Sequence, residues 1–141
     1  FSKIEIKEFS ILFIMLNYLD VTLKKIEELS ELVFFSDKNE SLKKLIISLL
    51  IDGIDKNTIY SKISMDHKKL VQEIKENSSI QIIAKTKNEQ SIVELMNELL
   101  AELKELNNLK KIESLEKELI NNLDENSYSE LLKLKSQLNG E

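Results

Sequence analysis

Apolar residues recur along this chain at three- and four-residue spacing, which is the period of an amphipathic helix. The spacing predicts a first helix over Ile6–Asn17, "IKEFSILFIMLN". Its second half is apolar on almost every side, which marks it as the centre of a core. Leu23, Ile26 and Leu29 predict a second helix over Val21–Leu32. Polar "SDKNES" interrupts the pattern, and Asp37 with Glu40 has the spacing of a capping box ahead of "LKKLIISLLI". Gly53 follows that run in the place of a left-handed C-cap. Asp55 opens a short helix with Ile59, Tyr60 and Ile63, and Asp66 opens another with Leu70, Val71 and Ile74. In "SSIQIIA", residues 78–84, the isoleucines also suit a strand, but nothing elsewhere could pair with one, so the segment is expected as helix or loop.

From Asn88 the pattern changes. No helix breaker appears before Asn121, which allows one helix about 50 Å long. Ile92, Leu95, Leu99, Leu103 and Leu106 share one face of it. Leu106, Leu109, Ile112 and Leu115 then advance by threes, each step turning the stripe back by roughly 60°. By Leu115, Leu119 and Leu123 the stripe has moved roughly half a turn, so the two ends of the helix need different packing partners. "NNLDENS" has the composition of a turn, and Ser127 with Glu130 has capping-box spacing for a last helix over Tyr128–Leu138. Leu131, Leu134 and Leu138 lie on one face of that helix, with Tyr128 and Leu132 roughly 100° away. The pattern predicts an all-α fold: a helical bundle over residues 1–87, and a long connecting helix with a C-terminal hairpin over residues 88–141.

Composition narrows the picture. The 141 residues are 42% hydrophobic and 32% charged, as expected of a folded globular chain. The longest apolar run, Ile11–Leu16, is far shorter than the roughly 20 residues a membrane span requires. A chain without cysteine forms no disulfide and no thiolate site, which fits a reducing compartment; the location expected is cytoplasmic. The first residue is Phe1, not methionine, and the chain is expected to be a fragment or a processed chain. Residues 1–87 hold 14 lysines against 13 acids, net +1, and residues 88–141 hold 6 against 12, net −6. All 20 basic residues are lysine. Without arginine the chain lacks the side chain that most often reads guanine edges, so sequence-specific DNA binding is not expected. The short helices between Asn39 and Asn77 could imitate a helix-turn-helix, but "MDHKKLVQEIKEN" balances its lysines with acids.

Motifs for chemistry are missing. His67 is the single histidine and has no companion ligands or nucleophile, so it is expected as a surface or capping residue. Two glycines cannot build a phosphate-cradling loop. Glu27/Glu28 and Glu116/Glu118 sit among lysines on helices, where solvated faces explain them. No catalytic residue, cofactor or metal is expected. Tyr128 and Leu132 are left as an apolar strip on a two-helix hairpin. Three covers are open to it: another protein, a second copy of the chain, or the chain's own bundle.

Two stretches resemble a known family. "KEFSILFIMLNYLD" with "IEELSELVFFSDKNESLKKLIISLL", and "IVELMNELLAELKELNNLKKIESLEKELINNLDENSYSELLKLKSQL", are similar to the opening helices and the long helix with terminal hairpin of the C-terminal domain of bacterial DnaG-type primases. The resemblance spans essentially the whole chain. It implies a bundle subdomain similar in fold to the N-terminal domain of the replicative helicase, and a hairpin that docks on the hexameric helicase. The role implied is non-catalytic, tethering primase for primer synthesis in DNA replication. The family's contact surface falls here on Leu119, Leu123, Tyr128, Leu131, Leu132, Lys135 and Leu138. Alone, the chain is expected as a monomer or weak dimer. The alternative function is a self-associating helical scaffold.

Overall fold

The computed structural model describes residues 2–77, 88–122 and 125–138, the last stretches with backbone alone at 120–122, 125–128 and 131. These residues form an all-α protein, with no strand among them. Contacts divide the chain into two compact units, Phe1–Leu100 and Ala101–Glu141. The division falls inside the long helix, whereas the change of sequence pattern falls at Asn88. Segment 78–84, expected as helix or loop, lies outside the described residues.

The first unit is assembled around α1, Lys3–Asn17. Ser2 caps it, accepting from the Glu5 amide at 3.1 Å while Glu5 reaches back to the Ser2 amide at 3.4 Å. This reciprocal cap starts the helix one turn before the apolar pattern does. Phe9, Ile11, Leu12, Ile14 and Met15 are all fully buried. At roughly 1.5–3 kcal/mol for each large side chain taken out of water, they are the main cohesive element of the unit. α1 packs against α2 (Leu19–Lys24), α4 (Asp37–Ile51) and α6 (Lys68–Asn77). Between them lie α3, Ile26–Glu31, which packs on α4, and α5, Lys56–Asp66, which packs on α4 and α6.

Three expected boundaries move. The single helix over Val21–Leu32 is two helices, because the Lys25 amide is shared between the carbonyls of Val21 and Thr22 and the chain turns there. The buried Thr22 hydroxyl donates to Met15 O and Tyr18 O, holding this turn against the end of α1. The cap of α4 is Ser36, not Asp37; its hydroxyl accepts from the Asn39 amide. Asp66 ends α5 instead of opening α6, and His67 stands at the join, its amide bonded to Ile63 O and its carbonyl to the Val71 amide. The Asp55 cap is as expected, accepting from the Thr58 amide at 3.3 Å.

Gly53 ends α4 in the left-handed region at φ +72°. The Ile54 amide returns to Leu49 O and the Gly53 amide to Leu50 O, both at 3.1 Å, which is a Schellman closure. A long helix α7, Glu89–Asn122, follows, and then α8, Glu125–Leu138. α7 buries Ile92, Met96 and Leu100 in the first unit. In the second unit it buries Leu103 and Ile112 and half-buries Leu106, Leu115 and Leu119, with Leu109 44% exposed. α8 begins at Glu125, so Ser127 lies inside the helix and not at its cap. No helix among the described residues is long and apolar enough to cross a membrane.

Gly53→Ala is expected to lower stability by on the order of 1 kcal/mol, the cost of a Cβ in the left-handed region. No heavy atom lies within 4 Å of the added carbon, so strain in the backbone is the whole effect. Thermal unfolding checks it: a loss of about 3 °C is expected for Ala and less for Gly53→Asn, because Asn tolerates that conformation.

Candidate functional site

The seven residues singled out in the second unit are distributed over α7, α8 and the turn between them. Leu119 is half-buried near the end of α7. Leu123 lies outside the described residues. Tyr128 and Leu131 are placed in α8 by their backbone. Leu132 is 51% exposed, while Leu134 and Leu138 are half-buried. Positions 134 and 138 are one helical turn apart, and 132 lies well off their line, so α8 has a sheltered face and an apolar residue outside it. Lys135 is exposed and pairs with Glu116 of α7 at 3.3 Å. Both side chains are about half in water, so the pair contributes at most about 1 kcal/mol. It nevertheless fixes which turn of α8 lies beside which turn of α7. Exposed around Leu132 are Ser129, Lys133 and Ser136. Nothing in this set is a nucleophile with a base, and among the described residues no group of three or more acidic or histidine side chains could hold a metal ion.

Among the described residues the most charged interior lies in the first unit, away from the residues expected as a site. Between α3 and α4 the chain runs without helix through "LVFFS", Leu32–Ser36, extended at Leu32 and Ser36 with a bend at Phe35. Side chains from α1 and α4 hold its backbone. Glu8 is completely buried and accepts from the Phe35 amide at 2.5 Å, the Ser36 amide at 3.4 Å and Asn39 Nδ2 at 3.0 Å. Glu40 accepts from the Phe34 amide at 3.0 Å and pairs with Lys43 at 2.7 Å. Lys43, 1% exposed, donates to Leu32 O and lies 5.0 Å from the centre of the Phe34 ring. Moving the α4 cap to Ser36 is what frees Glu40 for this work.

Burial pushes the Glu8 carboxyl above the ordinary glutamate value, against the lowering effect of hydrogen bonds from Asn39, Phe35 and Ser36. Burial likewise pulls the Lys43 ammonium down, against the opposing effect of Glu40. A signal was present in the sequence. Glu8, Leu12 and Met15 share one helical stripe, as do Asn39, Lys43 and Ile46, so each polar residue stands at a core position. What the cluster does is mechanical: it gives partners to backbone groups that no ladder or helix satisfies.

Two of the cavities among the described residues open on the first unit. One of about 220 Å³ lies among α1, α5 and α6, walled by Phe13, Leu16, Ile63 and Val71. At its edge Tyr60 donates its hydroxyl to Leu16 O at 2.5 Å, and burial raises the pKa of that phenol. The other, about 280 Å³, lies between α3 and α4 beside Ile47 and Ile51. Ser30, Lys44, Ser48 and Asp52 also line the second. No family model matches the chain, nor does any curated protein or solved structure.

Glu8→Leu is expected to cost roughly 3 kcal/mol or more, because it strands the half-buried Phe35 and Ser36 amides and the buried Asn39 side chain and leaves Lys43 with less opposing charge. Denaturant unfolding measures it as a fall in midpoint at constant slope. Glu27→Gln on the exposed surface of α3 serves as the control and is expected to stay within about 0.5 kcal/mol of the parent.

Proposed function

We propose that this chain is a non-catalytic interaction domain whose C-terminal helices dock on a hexameric replicative helicase, tethering a primase there for primer synthesis. The observation that carries the docking role is the division on α8, where Leu132 stands in water while Leu134 and Leu138 are sheltered. A large apolar side chain held outward on a short, rigid helix is the kind of anchor that interface cores use. The identity of the partner comes from the resemblance to the C-terminal domain of DnaG-type primases in the order of elements: packed helices, a long helix, a turn and a terminal helix. In this reading Leu119, Leu123, Tyr128, Leu131, Leu132, Lys135 and Leu138 form the docking end, and the first unit is a separate folded body. Leu109, exposed on α7, favours a second reading in which the same chain associates with itself as a scaffold.

A pair of substitutions tests the docking reading. Leu132→Asp is expected to leave helicity and melting nearly unchanged and to weaken helicase binding in calorimetry at least tenfold, since a carboxylate in a desolvated contact goes unpaired. Leu134→Asp is expected to loosen α8 itself, so that binding and part of the helical signal are lost together while the first unit still melts cooperatively. Helicase binding by Leu132→Asp equal to that of the parent removes Leu132 from the docking surface. Light scattering that finds a tight homodimer indifferent to helicase selects the scaffold instead.

A further inference from the structure

We propose that the buried cluster of Glu8, Asn39, Glu40 and Lys43 is a proton-binding site: Glu8 takes up one proton from solvent while the chain stays folded, and shares it with Oδ1 of Asn39. The inference is independent of the docking reading above.

Its first support is charge. Two carboxylates and one ammonium meet here, which leaves one negative charge in excess. Glu8 is fully buried, and Lys44, the next cation along α4, pairs with Glu40 at 4.0 Å from a largely exposed position. An uncompensated charge away from water is costly, and a single proton removes it. Its second support is an orphan. Asn39 Oδ1 is buried and has no hydrogen-bond partner among the described residues, although Nδ2 of the same amide donates to Glu8. A half-turn of that amide places Oδ1 where Nδ2 now lies, 3.0 Å from Glu8 Oε1. Ionised, Glu8 accepts from Nδ2; protonated, it donates its O–H to Oδ1, and Asn39 serves both states. The Phe35 amide is bonded to the other oxygen, Oε2, so the loop is held in either state.

The remaining neighbours agree. Glu5, on the same helix, adds to the negative charge felt by Glu8. The α4 groups facing it are Glu40 and Lys43, and Lys43 feels the Glu8 charge in turn. Leu32–Ser36 carries no titratable side chain. On α2 and α6, Asp20, Lys24, Lys68, Lys69, Lys75 and Glu76 are exposed and Glu73 is half-buried. With its pKa raised by burial, Glu8 holds a proton more tightly in the folded chain than in the unfolded one. Its contribution to stability is therefore greatest below the ordinary glutamate value of 4.5, declines as pH rises through the raised value, and is level above it.

The test is carbon-13 NMR of the Glu8 carboxyl in the whole chain from acid to neutral pH, with hydrogen exchange followed at Phe35. Glu8 is expected to titrate above the ordinary glutamate range, the Asn39 side-chain amide to shift at the same midpoint, and the Phe35 amide to stay protected on both sides. Glu8→Gln, whose amide can donate to Oδ1 as the acid does, is expected to lose the parent's fall in melting temperature across that window. The proposal is overturned if Glu8 titrates at or below the ordinary value, if Phe35 loses protection as Glu8 titrates, or if Glu8→Gln keeps the parent's pH dependence. The titration of the unaltered chain decides even if the variant does not fold.

Discussion

Everything in the first unit is arranged around the capture of one stretch of backbone. Leu32–Ser36 crosses between α3 and α4 with Leu32 and Phe34 buried, Phe35 and Ser36 half-buried and Val33 exposed, and no strand lies beside it among the described residues. Left alone, each buried amide or carbonyl would cost about 1–3 kcal/mol. Glu8, Glu40 and Lys43 supply the partners, and they do so from two helices that are far apart in sequence. α1 and α4 pack together with Phe9, Leu12, Leu42 and Ile46 all buried; the polar cluster decides in what register they stay.

Such a cluster adds little net stability, because desolvating three ionised groups offsets most of what their contacts return. Its effect is on specificity. A slip of α4 by one residue along α1 would leave Phe35, Ser36 and Asn39 without acceptors, an error that an all-apolar contact would tolerate more easily. The second unit has no equivalent among its described residues. Its α7 and α8 are linked there by an exposed pair, Glu116 with Lys135.

The sequence made the helices legible wherever apolar period and punctuation agreed. α1, α4 ending at Gly53, α5 behind Asp55 and the unbroken α7 follow from such signals. It was silent at the α2–α3 break, because the cause is a shared amide at Lys25 and a Thr22 hydroxyl reaching back to α1, and both are tertiary facts. It misplaced the α4 cap by one residue because Ser36 and Asp37 satisfy the same local rule, and only the demand of Phe34 for Glu40 chooses between them. Helical period puts Glu8 and Lys43 in apolar stripes but does not say what a buried charge would meet there, so the pattern singles out neither. On α8 the separation of Leu132 from Leu134 and Leu138 was readable from 100° per residue alone; the Lys135–Glu116 pair was not, since it depends on how two helices meet.

The span between Glu8 and its partners has a kinetic meaning. Glu8 and Phe35 are 27 residues apart and Glu8 and Asn39 are 31 apart, so the cluster cannot close until α1 and α4 have already met. Its charges give up water only once apolar neighbours surround them, which places its formation after the main barrier of folding. By that order, weakening the cluster hastens unfolding and leaves refolding nearly as fast as before, a change confined to one arm of a chevron plot. The groups that fix the register of the folded chain are then those that set how long it stays folded.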